Sequence, residues 1–332
     1  MVVDINFCID LNKKDMKVLC IGEALIDMIC TDRGSRLADG QNFLKKAGGA
    51  PANVAAAIAA LGGHVDMAAK VGKDPFGQHL IDLLNEMGVN TKWVIQDPNS
   101  FTTFAFVSLM EDGERDFYFN RGADGQLSIS DLATINLNEY SIVHFGSATG
   151  FLPGPLQATY IDLLNKAKAA GALISFDPNY RHLLFPNDTA SFITQSWHYI
   201  EACDFFKLSD EEALLITGLD TVDAAAAALR AKTNAVFAIT LGKEGTLLST
   251  NHGIEIISSI PITAIDATGA GDAFVGAVLY QLIGTKPADM QAIAIEQWRT
   301  MIANANKAGA RTCEYMGAME AFKHLNNSIF NS

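Results

Sequence analysis

A turn in the last third of the chain combines glycines with a carboxylate. Residues 266–272 read Asp-Ala-Thr-Gly-Ala-Gly-Asp and follow a short apolar run at 260–265. From residue 273 to 283 apolar side chains recur at helical spacing, so the turn is predicted to open a helix whose free N–H groups and dipole favour an anion. Gly269 and Gly271 would let the backbone approach that anion closely. The pattern therefore predicts a phosphate-binding turn.

The presence of Asp272 in this turn needs a chemical explanation, because a carboxylate beside a bound phosphate weakens the binding of that phosphate. The same carboxylate is useful as a base, and we interpret Asp272 as one. Two other phosphate motifs are absent: a dinucleotide fingerprint would need a third glycine where Phe274 stands, and no Gly-Lys-Ser/Thr triplet occurs. A nicotinamide dehydrogenase and a Walker-type nucleotidase are thereby excluded. A glycine-rich connection without function is the competing interpretation.

Two signatures of one family occur in the chain. The run at 266–272 resembles the Asp-Thr-x-Gly-Ala-Gly-Asp signature of the ribokinase-like (pfkB-type) carbohydrate kinases, with Ala267 where threonine is usual. The run at 48–55, Gly-Gly-Ala-Pro-Ala-Asn-Val-Ala, resembles the other signature of this family, in the wording of its fructokinase branch. The resemblance implies a doubly wound, mostly parallel α/β sheet flanked by helices, with a small β-sheet lid. It also implies an ATP-dependent sugar kinase.

The composition limits the classes of protein that the chain can represent. Its 332 residues, 49% hydrophobic and 18% charged, suit one large globular domain. A net charge of -13 argues against nonspecific binding to nucleic acid or anionic membranes, which depends on clustered Lys and Arg. The five cysteines include no Cys-x-x-Cys pair, so neither a disulfide framework nor a zinc knuckle is expected. A cytoplasmic location fits this cysteine usage.

The predicted kinase domain covers residues 16–325. Residues 1–15 have neither the charge pattern of a signal peptide nor the length of a membrane span. We expect them to form a disordered extension, and residues 326–332 to form a tail. From residue 141 onward strands and helices alternate, which predicts a mostly parallel sheet with helices on both faces.

Two segments interrupt the alternation of strands and helices. Residues from about 31 to 46 and from about 91 to 121 show extended, alternating patterns, and Asp112-Gly113 is a strong hairpin signal. We expect these segments to form a small sheet apart from the main one, which the resemblance identifies as a lid over the sugar. The resemblance also implies that two subunits can pair through their lids as a homodimer.

Several polar residues are candidates for binding the sugar. The apolar run at 17–27 ends in Asp27, which is typical of one buried parallel strand whose carboxyl end faces a site. The run at 177–181 resembles the family's Asp-x-Asn-x-Arg, and its arginine could meet phosphate oxygens with both arms of its guanidinium. The substrate-binding residues implied by the resemblance are Asp27, Gly48, Gly49, Asn53, Arg121 and Arg181.

The nucleotide side begins at a predicted capping box, in which Ser209 caps a helix and Glu212 is its third residue. The family has Asn-x-x-Glu here for metal and nucleotide phosphates, so Glu212 is expected to contact Mg²⁺ through water. Asn304 belongs to a long helix predicted for residues 289–311. The nucleotide-binding residues implied by the resemblance are Ser209, Thr240, Gly242, Gly245 and Asn304. The positions that match a monovalent cation site, for K⁺, are Asp266, Thr268 and Gly317.

The resemblance implies a mechanism in which Asp272 accepts the proton of a primary sugar hydroxyl while that hydroxyl attacks the γ-phosphate of ATP. The charge that develops on the phosphoryl group would be held by the N–H groups of Gly269, Ala270 and Gly271.

The wording of both sugar-side motifs favours a ketohexose, above all fructose. Two other acceptors stay open: 2-keto-3-deoxygluconate, for whose carboxylate Arg121 is available, and aminoimidazole riboside. A protein of another class, a non-catalytic sugar or nucleoside sensor on the same fold, is the remaining alternative. Such a sensor would have no use for Asp272.

Overall fold

Within residues 16–32, 34–110, 115–146 and 148–331, the part of the chain that the computed structural model describes, thirteen strands form two separate sheets. The strands are β1 (Lys17–Ile21), β2 (Leu25–Cys30), β3 (Phe43–Gly48), β4 (His64–Gly72), β5 (Asn90–Asp97), β6 (Phe104–Leu109), β7 (Arg115–Asn120), β8 (Tyr140–Phe145), β9 (Leu173–Phe176), β10 (Phe205–Ser209), β11 (Val236–Thr240), β12 (Thr246–Thr250) and β13 (Gly253–Ile257). The α-helices are α1 (Ala50–Ala60), α2 (Pro75–Glu86), α3 (Pro155–Ala169), α4 (Thr189–Ala202), α5 (Asp210–Thr217), α6 (Val222–Lys232), α7 (Ala270–Leu282), α8 (Ile295–Thr312) and α9 (Ala318–Phe322). The extension expected at residues 1–15 lies outside the described residues.

The larger sheet forms the centre of the domain, and its strand order is β13-β12-β11-β10-β9-β8-β1-β4-β5. Neighbouring strands from β5 to β11 pair in parallel, and β12 is antiparallel to both of its neighbours. Residues 18–21 of β1 are completely buried, because helices cover both faces of the sheet. The predicted doubly wound, mostly parallel α/β architecture is confirmed.

The helices divide between the two faces of the large sheet. Helices α1, α2, α7, α8 and α9 pack on one face, and α3 to α6 pack on the other. Helices α1 and α7 approach each other very closely, since a Cβ built on Gly276 would lie 2.7 Å from the Cβ of Ala57. The small residues of α1 thus bring the first turns of two helices together at one edge of the sheet.

The smaller sheet has the strand order β3-β2-β6-β7, and it confirms the separate sheet predicted from the sequence. Strands β6 and β7 pair antiparallel as a hairpin, although Asp112 and Gly113 of its predicted turn lie outside the described residues. The predicted boundary at residue 91 is wrong, because β5 belongs to the large sheet, where Val94 pairs with Ala69 of β4 and is buried. The prediction failed because β5, an edge strand of the large sheet, has the same alternation of apolar and polar residues as a strand of the small sheet.

The run at 17–27 is two strands rather than the single strand predicted. Gly22 has a φ of 145° and donates its N–H to the carbonyl of Ala68 at 3.2 Å. The chain turns there, so that β1 ends in the large sheet and β2 begins in the small one. Asp27 therefore lies on a strand of the small sheet and not at the end of a strand of the large sheet.

Two predicted boundaries near the C-terminus also differ from the structure. The predicted helix at 289–311 consists of a 3-10 turn at Pro287–Ala292 followed by α8, which begins only at Ile295. Residues of the expected tail join the domain, because Phe330 packs against the core and its ring lies 5.6 Å from that of Tyr280.

No helix in the described ranges is long and apolar enough to cross a membrane. The four cysteines located in those ranges have free thiols. Three of them, Cys20, Cys30 and Cys203, are buried, and burial raises the pKa of the Cys20 and Cys203 thiols. These two thiols are therefore protonated at neutral pH.

The contact between α1 and α7 can be tested with Gly276→Ala. In an exposed helix such a change stabilises by up to about 1 kcal/mol, but here the added methyl meets Ala57, and we expect a loss of ~1–3 kcal/mol in the free energy of unfolding. Urea unfolding measures the difference. The matched control is Ala227→Gly in α6, an exposed position, which should lose ~1 kcal/mol. Stabilisation by Gly276→Ala would contradict the close contact.

Candidate active site

The first turn of α7 presents free N–H groups at the carboxyl edge of the large sheet. Gly269 caps the helix in the left-handed region with a φ of 82°. The first helical hydrogen bond runs from the Ala273 N–H to the Gly269 carbonyl at 2.8 Å. Among the described residues no acceptor meets the N–H of Gly269, Gly271 or Asp272. These three donors, together with the dipole of a 13-residue helix, favour an anion here.

Ala270 differs from its predicted role as an anion donor. Its N–H donates to the carbonyl of Ala267 at 3.2 Å, inside the turn that leads into the helix. The N–H of Asp272, two residues further along, has no such partner in the described part of the chain. The N–H groups available to an anion are therefore those of Gly269, Gly271 and Asp272, and not that of Ala270.

The carboxyl of Asp272 is buried and joined to α1. Asn53 donates its amide N–H to Asp272 Oδ2 at 2.8 Å, across 219 positions of sequence. Burial raises the pKa of Asp272 to about 6, and the Asp177 carboxylate adds to this, while the Asn53 bond and the charges of Lys207 and Arg181 oppose it. A carboxylate with this pKa is a stronger base than an ordinary aspartate and is still ionised at neutral pH.

Asn53 has a second feature that points to a ligand. Its amide oxygen is buried and has no hydrogen-bond donor among the described residues. A buried acceptor of this kind costs stability unless a partner supplies a hydrogen. A hydroxyl group bound next to Asp272 would supply one.

Asp27 lies on β2 of the small sheet, and the charge of Arg181 acts on it as on Asp272. A side chain on Gly48 would collide with the Asp27 carboxylate, and one on Gly49, whose φ is 102°, would collide with the Glu23 carbonyl. Burial raises the pKa of Asp27 to about 6, against the charge of Arg181. The two glycines thus open a space in which the Asp27 carboxylate can accept hydrogen bonds.

Arg121 does not point into this space as a free cation. Its guanidinium donates to the carbonyl of Pro153 at 2.9 Å and to that of Thr149 at 3.0 Å, and its Nε lies 3.5 Å from the Asp124 carboxylate. These contacts tie the end of the small sheet to the large domain, and the substrate role of Arg121 stays a prediction.

The segment that carries Arg181 is held by Glu212. Tyr180 donates its N–H to Glu212 Oε1 at 2.7 Å, and Ser209 donates its N–H to Glu212 Oε2 at 2.7 Å. The predicted capping box is present, with the Glu212 N–H donating to the Ser209 hydroxyl at 3.1 Å. Asn179, two residues before Arg181, has a φ of 47°. This left-handed residue turns the chain so that Arg181 follows at the site.

Arg181 itself is exposed and lies near both acidic candidates. It lowers the pKa of the carboxyls of Asp27 and Asp272 through its charge. An exposed guanidinium between two acids can meet an anionic ligand that enters from solvent. The structure thus brings together Asp27, Asn53, Arg181 and Asp272 from four separate elements.

Lys207 is a site residue that the sequence analysis missed. It is buried on β10, 3.2 Å from the Asp177 carboxylate, and a Cβ on Gly271 would lie 3.3 Å from its ammonium. A signal was present, because a charged residue in the run Phe-Phe-Lys-Leu at 205–208 interrupts a strand that is otherwise apolar.

The nucleotide-side candidates lie at the end of β11. The Thr240 hydroxyl donates to the Leu208 carbonyl at 3.3 Å. Gly242 and Gly245 have φ values of 58° and 113°, which allow the tight turn between β11 and β12. The Leu241 N–H closes this turn on the Gly245 carbonyl at 2.8 Å. The loop follows directly on the residue pair Ser209 and Thr240 of β10 and β11.

Asn304, whose contact with the nucleotide stays a prediction, lies on α8. Its amide donates to Gln281 of α7 at 2.9 Å, so its side chain lies between two helices. Asn306, two residues and about 200° further around α8, accepts the Thr246 hydroxyl at 2.6 Å and donates to the Ile257 carbonyl at 2.9 Å. Asn306 is thus the asparagine that adjoins the loop at Gly245.

The three residues predicted for a monovalent cation lie together. Asp266 accepts the N–H and the hydroxyl of Thr268 at 3.0 and 2.7 Å, and it also accepts the Gly317 N–H at 2.8 Å. The two loops meet directly behind the first turn of α7. Across the described ranges no group of three or more His, Cys, Asp or Glu side chains is placed to hold a metal ion.

Comparison with known proteins places this geometry in a family. The model of the pfkB family carbohydrate kinases matches residues 15–324. Fructokinase-1 of Oryza sativa subsp. japonica is 36% identical over 307 residues, which cover 91% of this chain and 93% of that protein.

Two solved structures share the fold over almost their whole length. The structure of fructokinase from Xylella fastidiosa with bound ATP has a TM-score of 0.83 and 30% identity, and it covers 96% of this chain and 97% of that one. A fructokinase double mutant from Vibrio cholerae O395, with fructose, ADP and potassium ion bound, has a TM-score of 0.81 and 28% identity, covering 96% and 98%.

The raised pKa values of the two acids predict the pH dependence of activity. As the predicted base, Asp272 must be ionised to accept a proton, and as the predicted sugar ligand, Asp27 must be ionised to accept hydroxyl hydrogen bonds. Activity should therefore fall as pH decreases through about 6. Because both acids titrate there, log(kcat/KM) should approach a slope of two below this pH.

Variants of Asp27 and Asp272, measured over the same pH range, distinguish the contributions of the two acids to the pH profile. Asp27→Asn should reduce the acid slope to one, and Asp272→Asn should lower kcat by roughly 10²–10⁴-fold at neutral pH. An acid limb centred near pH 4 would show that neither burial effect governs catalysis. Near-normal turnover of Asp272→Asn would remove this residue from the mechanism.

Proposed function

Because the chain belongs to the pfkB family of carbohydrate kinases, we propose that it transfers the γ-phosphate of ATP to a primary hydroxyl of fructose. The observation that carries the proposal is the bond from Asn53 to Asp272, which joins the sugar side of the site to its phosphate side. The rice relative named fructokinase-1 and the fructokinase structures with ATP or with fructose and ADP support the choice of substrates.

In this reaction the sugar hydroxyl lies between Asn53 and the first turn of α7. Its oxygen attacks the γ-phosphorus, its proton passes to the Asp272 carboxylate, and ADP leaves with the electrons of the broken P–O bond. The N–H groups of Gly271 and Asp272 face the developing charge. Positioning and charge stabilisation dominate such a transfer, since little covalent chemistry falls to the protein.

Mg²⁺ is proposed as the partner of the nucleotide. Magnesium prefers oxygen ligands and keeps several waters, and Glu212 offers carboxylate oxygens that each carry one N–H bond already. Such an arrangement fits contact through water better than direct ligation. The ion would neutralise negative charge on the phosphates, while Glu212 keeps Tyr180 and Ser209 in place.

The contacts of Arg121 bear on the choice among sugars. An acceptor with a carboxylate, such as 2-keto-3-deoxygluconate, would need a cation near the sugar, and the guanidinium of Arg121 is committed to the carbonyls of Thr149 and Pro153. Arg121 therefore gives no support to an acidic acceptor, which would have to use Arg181, a cation near Asp27. Aminoimidazole riboside carries no carboxylate, so it stays as the rival acceptor.

A non-catalytic sensor on the same fold is disfavoured by Asp272. A protein that only bound sugar or nucleoside would gain nothing from a buried carboxylate beside an anion site, because burial of a charge costs free energy. Here Asp272 is buried and has a pKa near neutrality, as a proton acceptor requires.

We also propose that two subunits pair through the small sheet. Ile29 and Leu44 are cross-strand neighbours on one face of that sheet, and they remain 38% and 43% exposed. Val107, next to Ile29 on β6, extends this apolar face. A second copy of the same face would remove it from water.

A panel of acceptors tests the proposed function. ATP consumption should be fastest with fructose, and its kcat/KM should exceed that of ribose, 2-keto-3-deoxygluconate and aminoimidazole riboside by orders of magnitude, because wrong sugars leave buried polar groups unpaired. A rival sugar that exceeds fructose tenfold would overturn the fructose assignment alone. Absence of phosphate transfer to every sugar, with sugar binding intact, would favour the sensor.

Potassium is expected to stimulate the reaction. Asp266, Thr268 and Gly317 meet behind the phosphate-binding turn, and a cation there would stabilise that turn next to an anion. Initial rates in potassium chloride should exceed those in tetramethylammonium chloride at equal ionic strength. Asp266→Asn should abolish the difference. Equal rates for the unmodified protein in the two salts would disprove the cation role.

A further inference from the structure

Lys207 is a buried ammonium group at the point where β10 meets α7. Its side chain is 9% exposed, and that of its partner Asp177 is 2% exposed. A Cβ on Gly271 would lie 3.3 Å from Lys207 Nζ and 3.7 Å from its Cε. The ammonium therefore lies directly against the first turn of α7, beside the N–H groups that have no acceptor in the described part of the chain.

Lys207 has three carboxylates around it, two more than a simple ion pair requires. Burial alone would lower the pKa of the ammonium, but the carboxylates of Asp177, Glu212 and Asp272 raise it overall. His144 on β8 also faces it and stays neutral, since burial and the lysine charge lower its pKa to about 3. Lys207 is thus charged at every pH at which the enzyme would work.

A purely structural role accounts poorly for this lysine. A buried ion pair seldom contributes net stability, because removal of two charges from water costs as much as their attraction returns. An ammonium group has three protons to donate, and its one hydrogen bond among the described residues is to Asp177 Oδ2 at 3.2 Å. Two N–H groups of the ammonium are therefore available to a ligand at the place where the phosphoryl group would bind.

We propose that Lys207 donates to the oxygens of the transferring phosphoryl group, with Asp177 holding the ammonium in position. The inference rests on the proposed kinase function and adds a positive charge to the neutral N–H donors of the helix. Lys207 gives up no proton: the new bond joins the sugar oxygen to phosphorus, the bond to the ADP oxygen breaks, and the hydroxyl proton goes to Asp272. Its charge would offset the negative charge that the phosphoryl oxygens carry throughout.

Lys207→Met tests the proposal, because methionine keeps the length and apolar stem of lysine and removes the charge. We expect kcat to fall by roughly 10²-fold, the size of losing one oxyanion donor. Calorimetry should show about tenfold weaker binding of the β,γ-imido analogue of ATP, and binding of ADP changed by less than threefold. This difference between nucleotides isolates the γ-phosphoryl group, which a structural role would not do.

Lys70→Met is the matched control. Lys70 forms an ion pair with Asp131 at 2.8 Å and is 13% exposed, so its loss disturbs a comparable pair outside the site. The control should keep kcat and both nucleotide affinities within threefold. If Lys207→Met fails to fold, Lys207→Gln replaces it in the same measurements.

Two results would overturn the role of Lys207. One is a folded Lys207 variant with unchanged kcat and unchanged affinity for the imido analogue. The other is an equal loss of affinity for the analogue and for ADP, which would assign Lys207 to general support of the site. The proposed function fails separately, if the unmodified protein phosphorylates no sugar, and the binding comparison still decides the place of Lys207.

Discussion

The hydrogen bond from Asn53 to Asp272 depends on a steric condition far from the chemistry. The two residues are 219 positions apart, and they meet because α1 and α7 lie in contact along small side chains, with no room for a Cβ at Gly276. A bulkier pair of helices would separate the two first turns by ångströms. Since transfer between a hydroxyl and a phosphate requires near-contact geometry, the packing of these helices sets whether the site can function.

The electrostatics of the site follow from its burial. The chain carries a net charge of -13, and some of its acids lie in the site itself, so an anionic nucleotide is attracted only by local groups. Lys207 and Arg181 supply positive charge, and α7 supplies its N-terminal dipole. The same low dielectric that strengthens these attractions raises the pKa of Asp272 and of Asp27. The site therefore gains a useful base at the cost of burying charge.

How much could be predicted from the sequence depended on the range of each interaction. The Ser209–Glu212 capping box was predictable because its two partners are three residues apart. The apolar run through Gly22 gave no sign that the chain changes sheets there, since buried strands of both sheets share one composition. The pairing of Lys207 with Asp177 joins neighbouring strands and has no local pattern. Motif resemblance supplied the site residues where local patterns could not.

Asp27, the predicted sugar ligand, lies on the small sheet. Because β2 follows β1 after a three-residue connection, Asp27 belongs to the small sheet and yet lies near Arg181 of the main domain. The small sheet is also tied to the main domain, because Arg121, which follows β7, donates to the Thr149 carbonyl at 3.0 Å. A sugar that bound to Asp27 and Asn53 at once, as proposed, would therefore bridge the small sheet and helix α1 of the main domain. Its binding energy would act on their relative position and be available to exclude water from the phosphoryl group.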